Sequence, residues 1–215
     1  MRGSVAIPAL GLIAAVLCLS GCAGVRYPSY YTLNLAASPP STTQRAPVPG
    51  SVAVREFDAP AFLREGPIVY RETAERLEFY HYHRWAVDPR QTVTNAIVRQ
   101  LQSSGIFRSV DLFDGHGTPE CLLTGAIDHL EEVDHGTDVS VEAGLSGRLI
   151  DYKTGHVLWQ GTSSKQEKLA QRSVPGVVAG ISQAMDTTVE TLIASMQQGV
   201  AESWSSTHSG AETKE

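Results

Sequence analysis

Three cysteines and seven histidines are the side chains best suited to act as nucleophiles or metal ligands, and their spacing limits what each can do. His81 and His83 stand two apart in a β-rich run. That spacing puts both rings on one face, where they could share a metal ion, but no cysteine or carboxylate is spaced to complete a shell. His129 and His135 lie among Asp128, Glu131, Glu132 and Asp134, a grouping that could ligate a cation and reads more simply as a solvated strand end and turn. No sequence pattern links Cys121 to a particular histidine, so a small hydrophobe in a sheet is its simpler role. Neither His-Glu-x-x-His nor Gly-x-Ser-x-Gly occurs, and no phosphate-binding Gly-rich loop opens a helix. We therefore expect no catalytic residues, no metal and no dissociable cofactor.

Cys22 has a different chemistry. Arg2 supplies a positive start, and residues 5–19 are an uncharged apolar run, shorter than the roughly 20 residues that span a bilayer. Leu19-Ser20-Gly21-Cys22 closes this run and resembles the bacterial lipobox, in which the chain is cut between Gly21 and Cys22 and the cysteine is acylated, palmitate being a typical chain. Several acyl chains, at about 0.8 kcal/mol per buried methylene, make an anchor that does not readily leave. Ala23 rather than aspartate follows the cysteine. By resemblance to lipoprotein sorting, that favours the periplasmic face of the outer membrane over the inner membrane.

Composition bounds the rest. The chain has 215 residues, and 194 of them lie from Cys22 onward, enough for one well-packed domain with linkers. The formal net charge of −6 comes without a basic cluster, which argues against nucleic acid as a partner. Cys18 leaves with the signal and Cys22 carries lipid, so Cys121 has no intramolecular disulfide partner in the mature chain.

The pattern along the chain divides it into a signal peptide (1–21), a lipidated tether (22–29), one folded domain (30–196) and a mobile Ser-, Glu- and Gly-rich tail (197–215). Tyr31, Leu33 and Leu35 share one face of a first strand, a proline-rich loop covers 36–50, and a second strand covers 51–57. Residues 67–71 and 76–82 form a hairpin. Asp88, Pro89 and Gln91 open a helix whose face is Val93, Ile97 and Leu101, and Gly105 with Ile106 closes it. A strand over 107–113 follows. Residues 120–133 and 138–150 are long strands, with Gly144 and Gly147 marking a bulge or bend in the second, and extended structure resumes at residues 157–159. A second helix runs from near Pro175 to about Met196, its stripe being Val178, Ile181, Met185, Val189, Leu192 and Met196. The expected class is α/β (α+β): a single domain with a mixed, largely antiparallel sheet and two helices packed on it.

Tyr70, Phe79, Tyr80, Tyr82 and Trp85 form the aromatic group on the hairpin. They either line an interaction surface or fill the core.

The lipobox, Tyr30-Tyr31-Thr32-Leu33, the stretch from Phe62-Leu63 to Ile68-Val69-Tyr70-Arg71, Trp85-Ala86, the helix end Leu101 to Phe107, and Asp151 to Trp159 occur in a set order. Together they resemble the ABC-type transport auxiliary lipoproteins, the family of the paraquat-inducible protein C-like lipoproteins. The resemblance implies a non-enzymatic periplasmic accessory working beside an MCE-domain protein, an ABC permease and an ATPase on phospholipid or another hydrophobic substrate. It also implies a domain resembling the N-terminal domain of the Tol-system propeller protein, and it leaves a homo-oligomer open. The alternative is an envelope-assembly or structural lipoprotein with no transporter.

Overall fold

The computed structural model describes residues 26–36, 48–136 and 138–209, without the side chains of 48, 49, 135 and 202–209. Gly21, Cys22 and most of the proline-rich stretch lie outside the described residues.

The frame is a long three-stranded meander of β6 (Cys121–His135), β7 (Asp138–Asp151) and β8 (Val157–Lys168), antiparallel throughout. The other edge of β6 is shared. Its start pairs in parallel with β2 (Val48–Val54) through Val52↔Cys121, and its end pairs in parallel with β3 (Pro67–Arg71) through Tyr70↔Glu132. β5 (Phe107–Leu112) extends the first branch beside β2, while β4 (Leu77–Trp85) and then β1 (Ser29–Tyr31) extend the second. The result is a mixed eight-stranded sheet of one domain, as expected.

Among the described residues three helices accompany it: α1 (Ala61–Arg64), α2 (Pro89–Ser104) and α3 (Val174–Ser209). The one-turn α1 has no sequence-predicted counterpart. In α2 both ends are closed locally: the Asp88 carboxylate accepts from Arg90 N at 2.9 Å, where the sequence suggested a capping box with Gln91, Pro89 takes the first helical position, and Gly105 sits at φ 65° where a Cβ would be strained. Ser173 opens α3 by accepting from Gly176 N at 3.2 Å.

One face of the meander is dry. Val141, Ala143, Leu145 and Leu149 on β7 are fully buried, and so are Ile181, Ala184 and Met185 on α3. Each of the larger side chains among these contributes about 1.5–3 kcal/mol. Helix and sheet also touch through Thr188, whose hydroxyl lies 3.3 Å from Ala143 O. The opposite face of the meander carries Thr124, Ser146, Arg148, Gln160 and Thr162 and faces water, the usual division in an antiparallel sheet.

Several expectations change. β2 begins at Val48, inside the stretch read as loop. The irregularity between β6 and β7 falls in β6, between Ile127 and His129 opposite Gly144, not in β7. Gly147 instead makes room for the Trp159 ring, as do Gly161 and Gly199, where an added Cβ would stand 2.7 and 2.6 Å from indole atoms. β8 runs on to Lys168, because its backbone pairs with β7 although its side chains are polar. The tail is helical as far as Ser209: Gly199 seats Trp159, and Val200 is buried at 4% exposure, so packing carries α3 past Met196.

Candidate interaction site

The aromatic group of the hairpin is split by an irregularity in strand register. Val69 pairs with Phe79 and Pro67 with Arg84, so the four residues 80–83 stand opposite Ile68 alone. Regular alternation breaks there. Trp85 is 5% exposed and belongs to the core, which removes it from any surface. Phe79 and Tyr80 pack partly against the core, Tyr70 is half-buried, and Tyr82 stands 47% exposed.

Around this segment a polar network joins four strands to the loop before α3. The Tyr31 hydroxyl lies 2.9 Å from His83 Nδ1, and the His83 ring meets Tyr80 edge-on at 5.8 Å. Tyr80 in turn contacts the Tyr70 ring at 5.0 Å and donates its hydroxyl to Glu132 Oε2 at 2.6 Å. Glu132 is fully buried, on the helix-covered face of β6. Its other oxygen lies 3.0 Å from Arg172 Nε, while Arg172 Nη1 reaches Asp134 Oδ2 at 2.7 Å and the guanidinium sits 5.6 Å over the Tyr70 ring.

The electrostatics follow from that geometry. Burial, with the hydrogen bond to Glu132, pushes the Tyr80 phenol up to about 12. Arg172 is held above its ordinary value by hydrogen bonding with Tyr80 first; burial opposes this, and Glu132 and Asp134 add to it. A buried carboxylate needs such a partner, because an unpaired charge in the interior costs several kcal/mol. The network can therefore fix β4, β6 and the start of α3 against one another, and it holds no activated nucleophile.

On the other face of β6, Glu131 is 1% exposed and accepts from Arg71 Nε at 2.7 Å. His129 Nδ1 lies 3.5 Å from the same oxygen and Nε2 lies 4.0 Å from Glu142 Oε1. Among the described residues, His129, Glu131 and Glu142 are the group whose ligand atoms converge, all within 4.8 Å. Arg71 already places a positive charge on Glu131, and its guanidinium is held above its ordinary value by that hydrogen bond. The arrangement is a buried ion pair with a histidine at its rim.

The remaining chemistry-bearing residues are not brought together. Asp128 is turned away by the irregularity in β6 and accepts from Ser146 Oγ at 3.1 Å. His81 is exposed while His83 is engaged by Tyr31, and the His135 side chain lies outside the described residues. Burial, aided by Asp151 and Glu120, pushes the Cys121 thiol up to about 11, which leaves little thiolate at neutral pH. Sequence reasoning missed Arg71, Arg172 and Tyr31. A signal for them existed: Glu131-Glu132 interrupts an apolar strand between Leu130 and Val133, and buried carboxylates in a strand require cations from elsewhere.

The geometry thus describes internal ion pairs and an aromatic edge. A family model described as the ABC-type transport auxiliary lipoprotein component matches residues 31–194. The chain belongs to that family. Its members are membrane-associated, envelope-facing lipoproteins that serve ABC-type transport systems as auxiliary components. Among solved structures, a Xanthomonas campestris protein of the DUF330 family is similar at 18% identity and a TM-score of 0.70, covering 81% of this chain and 98% of its own. An uncharacterized protein matches at 16% identity and 0.59, covering 77% and 95%. A hypothetical protein from Chlamydia trachomatis matches at 12% and 0.50, covering 71% and 98%. At these identities the likeness is one of fold. No curated protein matches the chain.

Proposed function

We propose that this auxiliary lipoprotein is the lipid-anchored accessory subunit of an MCE-type ABC transport system. It helps phospholipid or another hydrophobic substrate cross the cell envelope. Cys22 carries the covalent lipid at the periplasmic face of the outer membrane, the domain docks on the MCE-domain protein, and a separate permease and ATPase supply the transport cycle. The observation that carries this reading is the family match, which begins nine residues after the lipobox cysteine.

The short tether supports the anchoring role. Six residues separate Cys22 from the start of β1 at Ser29, seven steps of chain that reach about 25 Å when fully extended, so the folded body stays close to the membrane. A non-enzymatic role is supported by Cys121, whose thiol is held protonated, and by His83 and His129, which are engaged with Tyr31 and Glu131. Of the predicted aromatic surface, Trp85 is buried and Tyr70, Phe79 and Tyr80 are half-buried, which leaves Tyr82 as its exposed member.

Complementation tests it. A strain lacking the gene receives either the wild-type chain or Cys22→Ala exported through an ordinary cleavable signal, and transfer of radiolabelled phospholipid between the two membranes is measured. The expected result is loss of transfer with the unanchored protein at equal abundance. Equal transfer by both would refute the anchoring role.

A further inference from the structure

The first residues of the fold carry a surface that the internal networks do not use. Among the described residues β1 is an edge strand and pairs with β4 alone, through Ser29↔His83, Tyr30↔Arg84 and Tyr31↔Trp85. Tyr31 turns inward to His83, and its neighbours turn out: Tyr27 is 82% and Tyr30 62% exposed. Tyr82 joins them at 47%, with the Arg26 guanidinium 5.9 Å over its ring. Val87 follows at 48%, placed beside β1 by the hydrogen bond from Ala86 N to Tyr31 O at 2.7 Å. Of the six large hydrophobic side chains exposed among the described residues, these four share one edge.

Charge on this edge departs from that of the chain as a whole. The protein carries −6, yet residues 26–36 and 79–87 contain no aspartate or glutamate and do contain Arg26 and Arg84. Exposed tyrosines beside arginine, in two segments without a carboxylate, suit a layer that is apolar at one depth and anionic at the next; of the acidic residues at their margins, Glu65 accepts from Arg84 through its carbonyl and Asp88 is paired with Arg90. Tyrosine is enriched in the headgroup region of bilayers because its ring is amphipathic, and arginine pairs with phosphate. Arg26 also stands only four residues after Cys22, at most about 14 Å of extended chain.

We propose that the β1–β4 edge lies in the headgroup layer of the anchoring membrane, with Tyr27, Tyr30 and Tyr82 among the lipid glycerols and Arg26 on their phosphates. This rests on the reading of Cys22 as the lipid anchor. The edge then does what the lipid on Cys22 alone cannot: it fixes the orientation of the domain on the bilayer, turning the far end of the sheet toward the periplasm.

The test separates the surface from the anchor. The mature chain beginning at Cys22, with Cys121→Ala so that Cys22 is the sole thiol, is coupled to a maleimide lipid in vesicles of phosphatidylethanolamine and phosphatidylglycerol. Amide hydrogen exchange is compared on and off the vesicle. The expected result is slowing by about tenfold or more confined to residues 26–31 and 80–87, and its loss in Tyr27→Ser/Tyr30→Ser/Tyr82→Ser, whose melting curve is unchanged because the three side chains are exposed. Arg26→Ser weakens binding of the uncoupled chain to the same vesicles about fivefold. Slowing elsewhere on the sheet, no slowing, or slowing that appears without vesicles as protein concentration rises would each overturn the proposal, the last by assigning the edge to a second copy. The mass of the Cys22 peptide from cells reads the anchor separately. An unacylated Cys22 with a footprint at the edge refutes the anchor and leaves the surface, and an acylated Cys22 without a footprint refutes the surface.

Discussion

Removing Arg172 should unmask the cost of the buried carboxylate on β6. Glu132 is fully buried and Arg172 lies 3.0 Å from it, so at an effective dielectric constant of about 20 their attraction is roughly 5–6 kcal/mol before desolvation is counted. The Arg172 side chain is 44% exposed, which screens the pair, and Tyr80 continues to donate to the other oxygen when the arginine is gone. We therefore expect Arg172→Met to lose about 2–4 kcal/mol, near the lower end of the range for breaking a buried pair. Urea unfolding followed by far-ultraviolet circular dichroism reads the loss as a shift in midpoint at constant slope. Adding Glu132→Gln to the same chain removes the stranded charge and should restore at least half of it. A cost below about 1 kcal/mol for Arg172→Met, or a double variant no more stable than the single, would show that Glu132 does not depend on this arginine.

Three further outcomes follow from the same physics. The folded Tyr80 phenol titrates at about 12, above an unfolded tyrosine near 10, so its contribution is whole below about pH 10 and lost as the pH rises through about 12; comparing wild type with Tyr80→Phe by urea unfolding across that window should show a difference that shrinks by roughly 1–2 kcal/mol, after discounting for partial exposure. Gly125→Ala would drive a Cβ into the Phe57 ring and the Ser146 carbonyl oxygen, costing about 1–3 kcal/mol or more, visible as a lowered melting temperature. Cys121, with its thiol at about 11, should react with iodoacetamide at pH 8 at least about tenfold more slowly than a free cysteine, and should reach the free rate in denaturant.

What the sequence revealed was mostly what is encoded locally. The ends of α2 could be read because Asp88, Pro89 and Gly105 act on their own neighbours, and the α3 stripe could be read because six apolar residues repeat at helical spacing. The β8 strand was legible only at residues 157–159, since Thr162, Lys165 and Lys168 show no apolar alternation and the pairing with β7 resides in the backbone. The continuation of α3 past residue 196 depended on Trp159, about 40 residues away, finding Gly199. The ion pairs were hidden for the same reason. Arg71 meets Glu131 and Arg172 meets Glu132 across 60 and 40 positions, and no local pattern joins them. Trp85 looked like its aromatic neighbours until the register break at residues 80–83 separated its environment from theirs. Family membership could be recognised because it rests on the order of segments, which a single chain displays in full.

The most direct test of the central claim is photo-crosslinking in living cells of the tagged chain, followed by mass spectrometry of what co-purifies from solubilised membranes. An MCE-domain protein crosslinked to the domain, accompanied by a permease and an ATPase, is the predicted result. Recovery of only outer-membrane assembly or cell-wall proteins would contradict the account and make this chain a structural envelope lipoprotein.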